Sequence, residues 1–450
     1  MARLETPVEI GGVTLPNRLY RAPLLECAGN GPDAVDRLIA DLEPAAESGA
    51  GLVCQGAMVV APEGGCAAPN MTRIADPGFA AELERLTDRI HDHGGRIFAQ
   101  LEHGGLRSLE TWHAEYRREY PELRQLAVSD LPWGMQIADR LGALDYDPRV
   151  MTTGEVYDLA ERFGRAAENC ATAGYDGIHL SGANMGIVQQ FLSPYYNRRT
   201  DEFGGSLRDR TRFLLVVLEE IHHRTSLPVM TKVPAETAAP WFVRRHLTRE
   251  DGVQVADRLA RAGFDALVPV ETSTFWDMSI VRGEYPGRAW ELSDLQNDYA
   301  AVFGGRWRAK AVALANRLHA RRLGFEPGWN AEFCDRVRER VDVPVLCEGG
   351  IRERSQIDRL LGRDDGEDRN RNENRDGVCD MVGMARPFYA EPRLPARLLG
   401  TEDAAVVCES CNNCTVPQAA GEPGVCRTPS VLQRRGQLDA AGAYERGDGG

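Results

Sequence analysis

The chain has 450 residues, 43% of them hydrophobic, and a formal net charge of −14 at pH 7. That length suits an elaborated α/β domain with a full core, and the acidic balance argues against a nucleic-acid partner. No apolar run approaches membrane-spanning length, and the N-terminus lacks a secretory apolar region. We therefore expect a cytoplasmic protein with reduced thiols and no membrane contact.

Eight apolar, β-rich runs alternate with longer amphipathic stretches. The predicted strands are residues 19–22, 51–54, 96–100, 177–181, 228–232, 266–270, 343–347 and 380–383. Helical periodicity is clear between them, for example over residues 79–93 and 155–173. Eight such units predict an α/β fold, a parallel (β/α)8 TIM barrel. A doubly wound sheet is the alternative, but no Gly-x-Gly-x-x-Gly follows the first strand.

Three segments interrupt the repeat. Residues 106–150 follow the third strand and residues 271–340 follow the sixth, so both leave the C-terminal ends of strands and should cover the active face of the barrel. Residues 362–377 are charged and low in complexity. They precede the last strand, which predicts a solvated, mobile loop on the opposite face.

Four cysteines near the C-terminus have the spacing of metal ligands. Cys408, Cys411 and Cys414 stand at two-residue gaps, and Cys426 follows after eleven further residues. Three thiolates on one tight loop with a more distant fourth are typical of a [4Fe–4S] cluster. A structural zinc more often uses two separated Cys-x2-Cys pairs and is the alternative.

Motifs in the barrel region resemble those of the old yellow enzyme superfamily, the NADH:flavin oxidoreductases. They occupy residues 16–18, 99–105, 190–213 and 382–387. With the cysteines, the chain is similar to the iron–sulfur branch of that superfamily, which includes trimethylamine dehydrogenase and bacterial 2,4-dienoyl-CoA reductase. The resemblance implies an FMN-binding (β/α)8 barrel at 1–400 and a short C-terminal iron–sulfur segment at 401–431. We expect residues 432–450 to form a disordered tail.

The predicted FMN contacts combine this resemblance with physical chemistry. Lys232 ends the fifth strand and would place a cation near the N1/O2 edge of reduced flavin. Gln100 ends the third strand and would pair with the polar edge of the isoalloxazine ring. Gly349 and Gly350, with Arg386 after the last strand, suit a phosphate. Family position adds further contacts: Pro23, Leu24, Ala57 and Ala385.

The substrate positions depart from the family pattern. Ser181 replaces the first His of the strand-four motif, Asn184 stands at its second polar position, and Gly186 replaces the Tyr that protonates alkenes in ene-reductases. His179 lies on the same strand face as Ser181 and is either a displaced acid/base or an interior histidine. Trp276 lies near an aromatic position that encloses alkylammonium in trimethylamine dehydrogenase, or it packs the cover of the site.

We therefore predict an FMN- and [4Fe–4S]-dependent oxidoreductase that exchanges hydride with a small-molecule substrate and relays single electrons through the cluster. Leu25 replaces the cysteine that bonds flavin in trimethylamine dehydrogenase, so we expect non-covalent FMN. Only 24 residues follow Cys426, so we expect no built-in nucleotide-binding domains.

Two routes then remain for electrons to enter or leave the enzyme. Either NAD(P)H reacts at the FMN as a substrate, or the cluster serves an acceptor protein such as ferredoxin or electron-transfer flavoprotein. Two alternative functions remain: an NAD(P)H-dependent enoate or 2,4-dienoyl-CoA-type reductase, and a non-catalytic flavin/iron–sulfur electron-transfer subunit. A homo-oligomer is also left open.

Overall fold

Eight parallel strands form the centre of the protein, a computed structural model that describes residues 3–140, 146–362 and 377–445. The strands are β1 Leu19–Arg21, β2 Leu52–Val59, β3 Ile97–Glu102, β4 Gly177–Leu180, β5 Val229–Ala235, β6 Ala266–Glu271, β7 Leu346–Glu348 and β8 Met381–Met384. Their order in the sheet is β6-β5-β4-β3-β2-β1-β8-β7. The backbone N–H of Leu267 donates to the carbonyl of Pro344 at 3.0 Å and so joins β6 to the β7 side. All eight predicted strands and the predicted barrel are confirmed.

Helices follow each strand and pack outside the barrel. They are Ala34–Glu47, Pro77–Glu82 with Glu84–Asp92, Thr153–Thr172, Leu207–Arg224, Arg249–Ala262, Ala331–Arg338, Arg354–Leu361, and Arg386–Ala390 with Leu394–Gly400. Thr152 and Thr248 begin their helices with reciprocal capping boxes, which satisfy backbone donors that a helix N-terminus otherwise leaves free.

A short antiparallel hairpin closes the N-terminal end of the barrel. It pairs Val8–Ile10 with Val13–Leu15, and Ile10 and Leu15 are fully buried in the core cluster inside the barrel. A Cβ on Gly11 would lie 2.3 Å from the Cβ of Pro228, which shows how closely the hairpin approaches the start of β5. The open mouth of the barrel is therefore at the C-terminal ends of its strands.

Two long segments cover this mouth, as predicted. The first contains Gly105–Arg107, Leu109–Trp112, Ala114–Glu119, Trp133–Arg140 and a two-stranded sheet of Gln125–Ala127 and Pro148–Val150. The second contains Met278–Val281, Gly287–Trp290, Gln296–Phe303 and Arg306–Arg322. The covers meet where the ring centroids of Trp112 and Trp276 lie 4.9 Å apart.

The C-terminal segment folds back onto the barrel mouth. The N–H of Arg354 donates to the carbonyl of Ala404, and the N–H of Val406 to that of Arg352, both at 2.8 Å. The remaining elements are Ile187–Leu192, Val416–Ala420 and Pro429–Ala440. The strand-like pairing holds the cysteines beside the C-terminal end of β7.

The helix Pro429–Ala440 differs from the disordered tail expected from residue 432 onward. Val431 is buried with Ala390 and Val407, and the Tyr444 hydroxyl donates to Glu391 at 2.9 Å, so the helix has a packed face and an anchored end. The charged loop predicted at 362–377 lies almost entirely outside the described residues, as does the end of the tail. No described helix has both the length and the apolar character needed to cross a bilayer.

Close backbone contact between β4 and β5 gives a stability test. A Cβ at Gly182 would lie 1.9 Å from the carbonyl oxygen of Lys232. Gly182→Ala should therefore lower the free energy of unfolding by roughly 2 kcal/mol or more, because backbone must move. Gly154→Ala, in an uncrowded helical position, should change it little or raise it by about 0.5–1 kcal/mol. Urea denaturation measures both, and equal stability of the two variants would contradict the packing described.

Candidate active site

A cavity of about 970 Å³ occupies the mouth of the barrel beneath the two covers. It brings together the nine predicted FMN contacts: Pro23, Leu24, Ala57, Gln100, Lys232, Gly349, Gly350, Ala385 and Arg386. Ser181, Asn184 and Trp276 line the same cavity, whereas His179 does not. The described strand ends thus gather most of the predicted residues at the face where barrel enzymes bind their ligands.

A buried ion pair lies on the floor of the cavity. The Lys232 ammonium is 2.8 Å from Glu348 Oε2, and the Tyr20 hydroxyl donates to Glu348 Oε1 at 2.8 Å. Burial, followed by the Glu348 charge, raises the pKa of Tyr20 well above its usual range. A Cβ on Gly383 would lie 2.2 Å from the Tyr20 ring, so β8 needs a glycine there. These contacts tie β1, β5, β7 and β8 together around one cation.

His179 does not line the cavity, so of its two interpretations the structure supports the interior histidine and not the displaced acid/base. Its Nδ1 is 3.2 Å from the Gln100 amide nitrogen, and its ring is fully buried. The strand alternation places it on the same face as Ser181 but one layer deeper in the barrel. Burial, with the Lys232 charge second, lowers its pKa well below the usual range, so the ring is neutral. Gln100 covers it and itself lines the cavity.

The glycines after β7 form a tight cradle. Gly349 and Gly350 have φ angles of 98° and 68°. A Cβ on Gly349 would lie 2.6 Å from the Trp329 ring, and one on Gly350 would lie 2.1 Å from the Glu326 carbonyl oxygen. Both positions therefore require glycine for conformation and for space.

Arg386 lines the same cavity as these glycines and is held by the second cover and the cysteine loop. Its Nη1 donates to Asn412 Oδ1, and its Nη2 donates to the Arg282 carbonyl at 2.9 Å. Arg386 thus links the end of β8 to the cysteine loop.

The loop after β1 supplies one apolar wall. A Cβ on Gly56 would lie 1.2 Å from the Leu24 carbonyl oxygen, so this loop rests directly on β2. Leu25 lines the cavity, and its carbonyl accepts from the Tyr389 hydroxyl at 2.8 Å. Cys27 is buried and is not among the residues that line the cavity.

A second buried charge pair lies on the substrate side. Arg107 Nη1 is 3.5 Å from Glu102 Oε1, and it also donates to the Asn184 carbonyl at 3.2 Å. With the Asn184 amide turned so that its oxygen faces the guanidinium, this oxygen accepts from Nη1 at 2.9 Å and from Nη2 at 3.1 Å. Burial raises the pKa of Glu102, although Arg107 and Lys232 act in the opposite direction.

Glu102 lies beside the position where the family's tyrosine is missing. A Cβ at Gly186 would lie 3.2 Å from Glu102 Oε1. Glu102 and Arg107 line the cavity and were not identified in the sequence, and neither was Glu348. Two signals in the sequence could have identified the carboxylates. Glu102 lies two residues after Gln100 on the same strand face, and Glu348 is a charged residue at the end of an apolar strand.

Trp276 contacts the same arginine. The Arg107 Cζ atom lies 5.4 Å from the Trp276 ring centroid, and 40% of the tryptophan surface is exposed. The ring packs against Trp112 and lines the cavity. It therefore supports the covers and faces the cavity at the same time.

The four C-terminal cysteines surround one small cavity. Cys408, Cys411, Cys414 and Cys426 all line it, and Cys408 also lines the large cavity. Burial raises the pKa of the Cys414 thiol to about 12, although Arg386 opposes this shift. Within the described ranges, no three His, Cys, Asp or Glu side chains meet the geometry for a single metal ion.

The cysteine loop is anchored by its asparagines and Thr428. Asn412 donates to the Glu284 carbonyl at 3.0 Å, and Asn413 donates to Thr428 Oγ1 at 3.1 Å. Cys411 Sγ lies 3.0 Å from the same hydroxyl. Ser410 and Asn412 have φ angles of 55° and 60°, which reverse the chain between the cysteines.

A closed (β/α)8 barrel with a buried cation, a carboxamide and a glycine–arginine pair at its mouth is the architecture of a flavin-dependent oxidoreductase. The model of the NADH:flavin oxidoreductase / NADH oxidase family matches residues 3–238, just over half of the chain. The chain belongs to this family of enzymes.

Similar proteins match over most of the chain. The chain is 26% identical to an NADH oxidase of Thermoanaerobacter brockii, over 92% of this chain and 56% of the relative. It is 24% identical to a dimethylamine dehydrogenase of Hyphomicrobium sp. (strain x), over 94% of this chain and 49% of the relative. The chain thus spans about half the length of these curated relatives.

A solved structure shares the fold over nearly the whole chain. A 2-naphthoyl-CoA reductase complex superposes with a TM-score of 0.71 at 16% identity, and covers 96% of this chain and 58% of its own. The shared fold includes the C-terminal segment.

The buried ion pair on the cavity floor gives a second stability test. Lys232→Met should lower the free energy of unfolding of the apoprotein by about 3–5 kcal/mol, because Glu348 is left buried without its cation. Adding Glu348→Gln should recover part of that loss. Lys310→Met, which removes the only other lysine at an exposed site, should change stability by less than about 0.5 kcal/mol. An unchanged stability of Lys232→Met would contradict the pairing.

Proposed function

We propose that the large cavity binds FMN, that the four cysteines bind a [4Fe–4S] cluster, and that the enzyme passes electrons between an organic substrate and the cluster through the flavin. The observation that supports this most strongly is that Cys408 lines both cavities. A redox group in the large cavity would therefore be separated from a redox group in the small cavity by little more than one side chain.

The cavity has the donor set that FMN requires. Gln100 offers an amide donor and acceptor to the polar edge of the ring, and Lys232 offers a cation to the N1/O2 edge. The Gly349–Gly350 cradle admits a phosphate, and Arg386 supplies a positive charge in the same cavity. Leu25 and the buried Cys27 favour non-covalent binding. When bound, FMN would supply hydride transfer with the substrate and one-electron transfer with the cluster.

Four thiolates at one cavity suit a [4Fe–4S] cluster. Burial disfavours the charged thiolates in the metal-free protein, as the raised pKa of Cys414 indicates. Burial also raises the pKa of Cys408, and the charges of Arg386 and Arg352 oppose this rise. Arg352 also donates to Ser410 Oγ at 3.0 Å within the cysteine loop. These residues would hold the ligand loop and offset its negative charge.

The electron acceptor is part of the same proposal. We propose that the cluster passes its electrons to a one-electron acceptor protein in the cytoplasm, such as ferredoxin or electron-transfer flavoprotein. In the alternative route, NAD(P)H is the substrate that donates hydride to the FMN. The substrate-sized space and the polar residues Ser181 and Asn184 favour an enzyme over an electron-transfer subunit without chemistry of its own.

A reductase of enoate or dienoyl-CoA type is the second candidate, and Glu102 favours it. Its carboxyl lies beside Gly186, and its pKa is raised by burial, which favours a protonated acid that could replace the missing tyrosine. In this case the carboxyl oxygen would deliver the proton that completes alkene reduction.

Anaerobic absorbance measurements distinguish the two candidates. Flavin bleaching by an organic donor, followed by electron transfer to the cluster, supports the proposed dehydrogenation. Bleaching by NADH with rapid reoxidation by an enone supports the reductase and would overturn our preference. The reductase then predicts that Glu102→Gln slows the reoxidation by about 10²–10⁴-fold and leaves the bleaching rate unchanged.

The cluster assignment predicts about four iron and four acid-labile sulfide per chain after anaerobic preparation. Cys411→Ala should lose both and keep FMN, because the flavin contacts lie on the barrel strands. Cys170→Ala, which removes a fully buried core thiol, should keep the iron. Stoichiometric zinc without sulfide would contradict the assignment.

The flavin assignment predicts opposite potential shifts from the two charges on the cavity floor. Lys232→Met should lower the FMN reduction potential because the anionic reduced form loses a cation. Glu348→Gln should raise it because that cation is no longer neutralised. Shifts of roughly 30–60 mV are expected. Potentiometric titration measures the FMN reduction potential of each variant, with Lys310→Met as the control. The proposed flavin site would be contradicted if neither Lys232→Met nor Glu348→Gln differs from wild type.

A further inference from the structure

The Arg107 guanidinium has hydrogen-bonding capacity that the protein does not fill. Its Nη1 is shared between Glu102 and Asn184, its Nη2 has only the Asn184 amide oxygen at 3.1 Å when that amide is turned, and its Nε has no partner among the described residues. Only 6% of the residue is exposed, and it lines the cavity. A guanidinium presents five N–H donors in a planar fork, and leaving them unpaired in a buried site is costly. The unpaired N–H groups, one on Nε and one on Nη2, therefore favour a hydrogen-bond acceptor that enters the cavity.

The face of the Trp276 ring that could bind a cationic substrate already contacts Arg107. Trp276 presents its ring to the Arg107 guanidinium, with 5.4 Å from Cζ to the ring centroid, and Trp112 packs against the same tryptophan. An alkylammonium at this ring would lie next to a second fixed cation. Because the cation–π contact of Trp276 is made with Arg107, the arrangement disfavours an amine substrate bound by Trp276.

The charge of the cavity lining also disfavours a cationic substrate. Its lining cations are Arg107, Arg117, Lys232, Arg308, Arg352 and Arg386, and its lining carboxylates are Glu102, Asp277 and Glu348. This excess of cations stands out in a chain whose net charge is −14. The Lys232–Glu348 pair and the proposed FMN phosphate at Arg386 account for part of the charge. Arg107 is not part of either group and contacts Asn184 instead.

We infer that the organic substrate carries a carboxylate, which the Arg107 fork binds with Asn184 beside it. This inference rests on the proposed function, since it names the class of molecule that meets the flavin. A planar anion matches the fork in shape and charge, which an amine does not. Trp276 then positions the guanidinium by stacking against it.

Two matched probes test this: benzoate and benzylammonium, titrated into FMN-loaded protein and read by the flavin difference spectrum. Benzoate should bind saturably, and benzylammonium should bind more weakly. Arg107→Met should weaken benzoate binding by about 10- to 100-fold, and Arg107→Lys should recover part of it. Arg308→Met, which removes a cavity cation further from Asn184, should have less than about a threefold effect.

Tighter binding of benzylammonium than benzoate, or equal benzoate affinity in Arg107→Met and wild type, would overturn the inference. Failure to retain FMN would contradict the proposed function instead. Benzoate binding can then still be read from tryptophan fluorescence, because Trp276 stacks on Arg107. A response that is lost in Arg107→Met supports the carboxylate site without any flavin, and a response that persists there overturns it.

Discussion

The buried cation at the end of β5 is the constraint on which the barrel mouth depends. Lys232 lies 2.8 Å from Glu348, which in turn accepts a hydrogen bond from Tyr20. A charged pair at this depth is costly to desolvate and needs its remaining polar atoms paired. Tyr20 supplies one such contact, and Gly383 leaves room for its ring. The floor of the cavity is therefore fixed by polar contacts between strands distant in sequence, and it presents a single, partly neutralised cation to any ligand above it.

Much of the fold could be predicted because barrel units carry local signals. Each strand is an apolar run, and helical periodicity and capping residues such as Thr152 mark the helix after it. The N-terminal hairpin was missed because two three-residue strands are too short for a periodic pattern. The helix Pro429–Ala440 was missed because its stability comes from tertiary contacts, Val431 against Ala390 and Val407, which a polar, Gly-rich sequence does not indicate.

Some residues of the candidate site could likewise be predicted from the sequence, and others could not. Gln100, Lys232 and the glycines after β7 could be placed because strand ends converge at one face of a barrel. Their partners could not, since Glu348 and Tyr20 meet Lys232 only through the closed sheet. The two interpretations of His179 could not be separated from the sequence, because strand alternation gives the face of a side chain but not its depth. Arg107 was missed because the helical turn Gly105–Arg107 is too short for a periodic pattern, and because its contact with Trp276 joins two covers that are separate in sequence.

FMN and a [4Fe–4S] cluster lie side by side in the enzyme that we propose, with Cys408 between them. Anaerobic titration of the holoprotein with dithionite tests it most directly, with flavin absorbance and the EPR signal of the reduced cluster followed together. We expect uptake of about three electrons per chain, two by the flavin and one by the cluster. Uptake of only about two electrons, with no cluster signal, would contradict it.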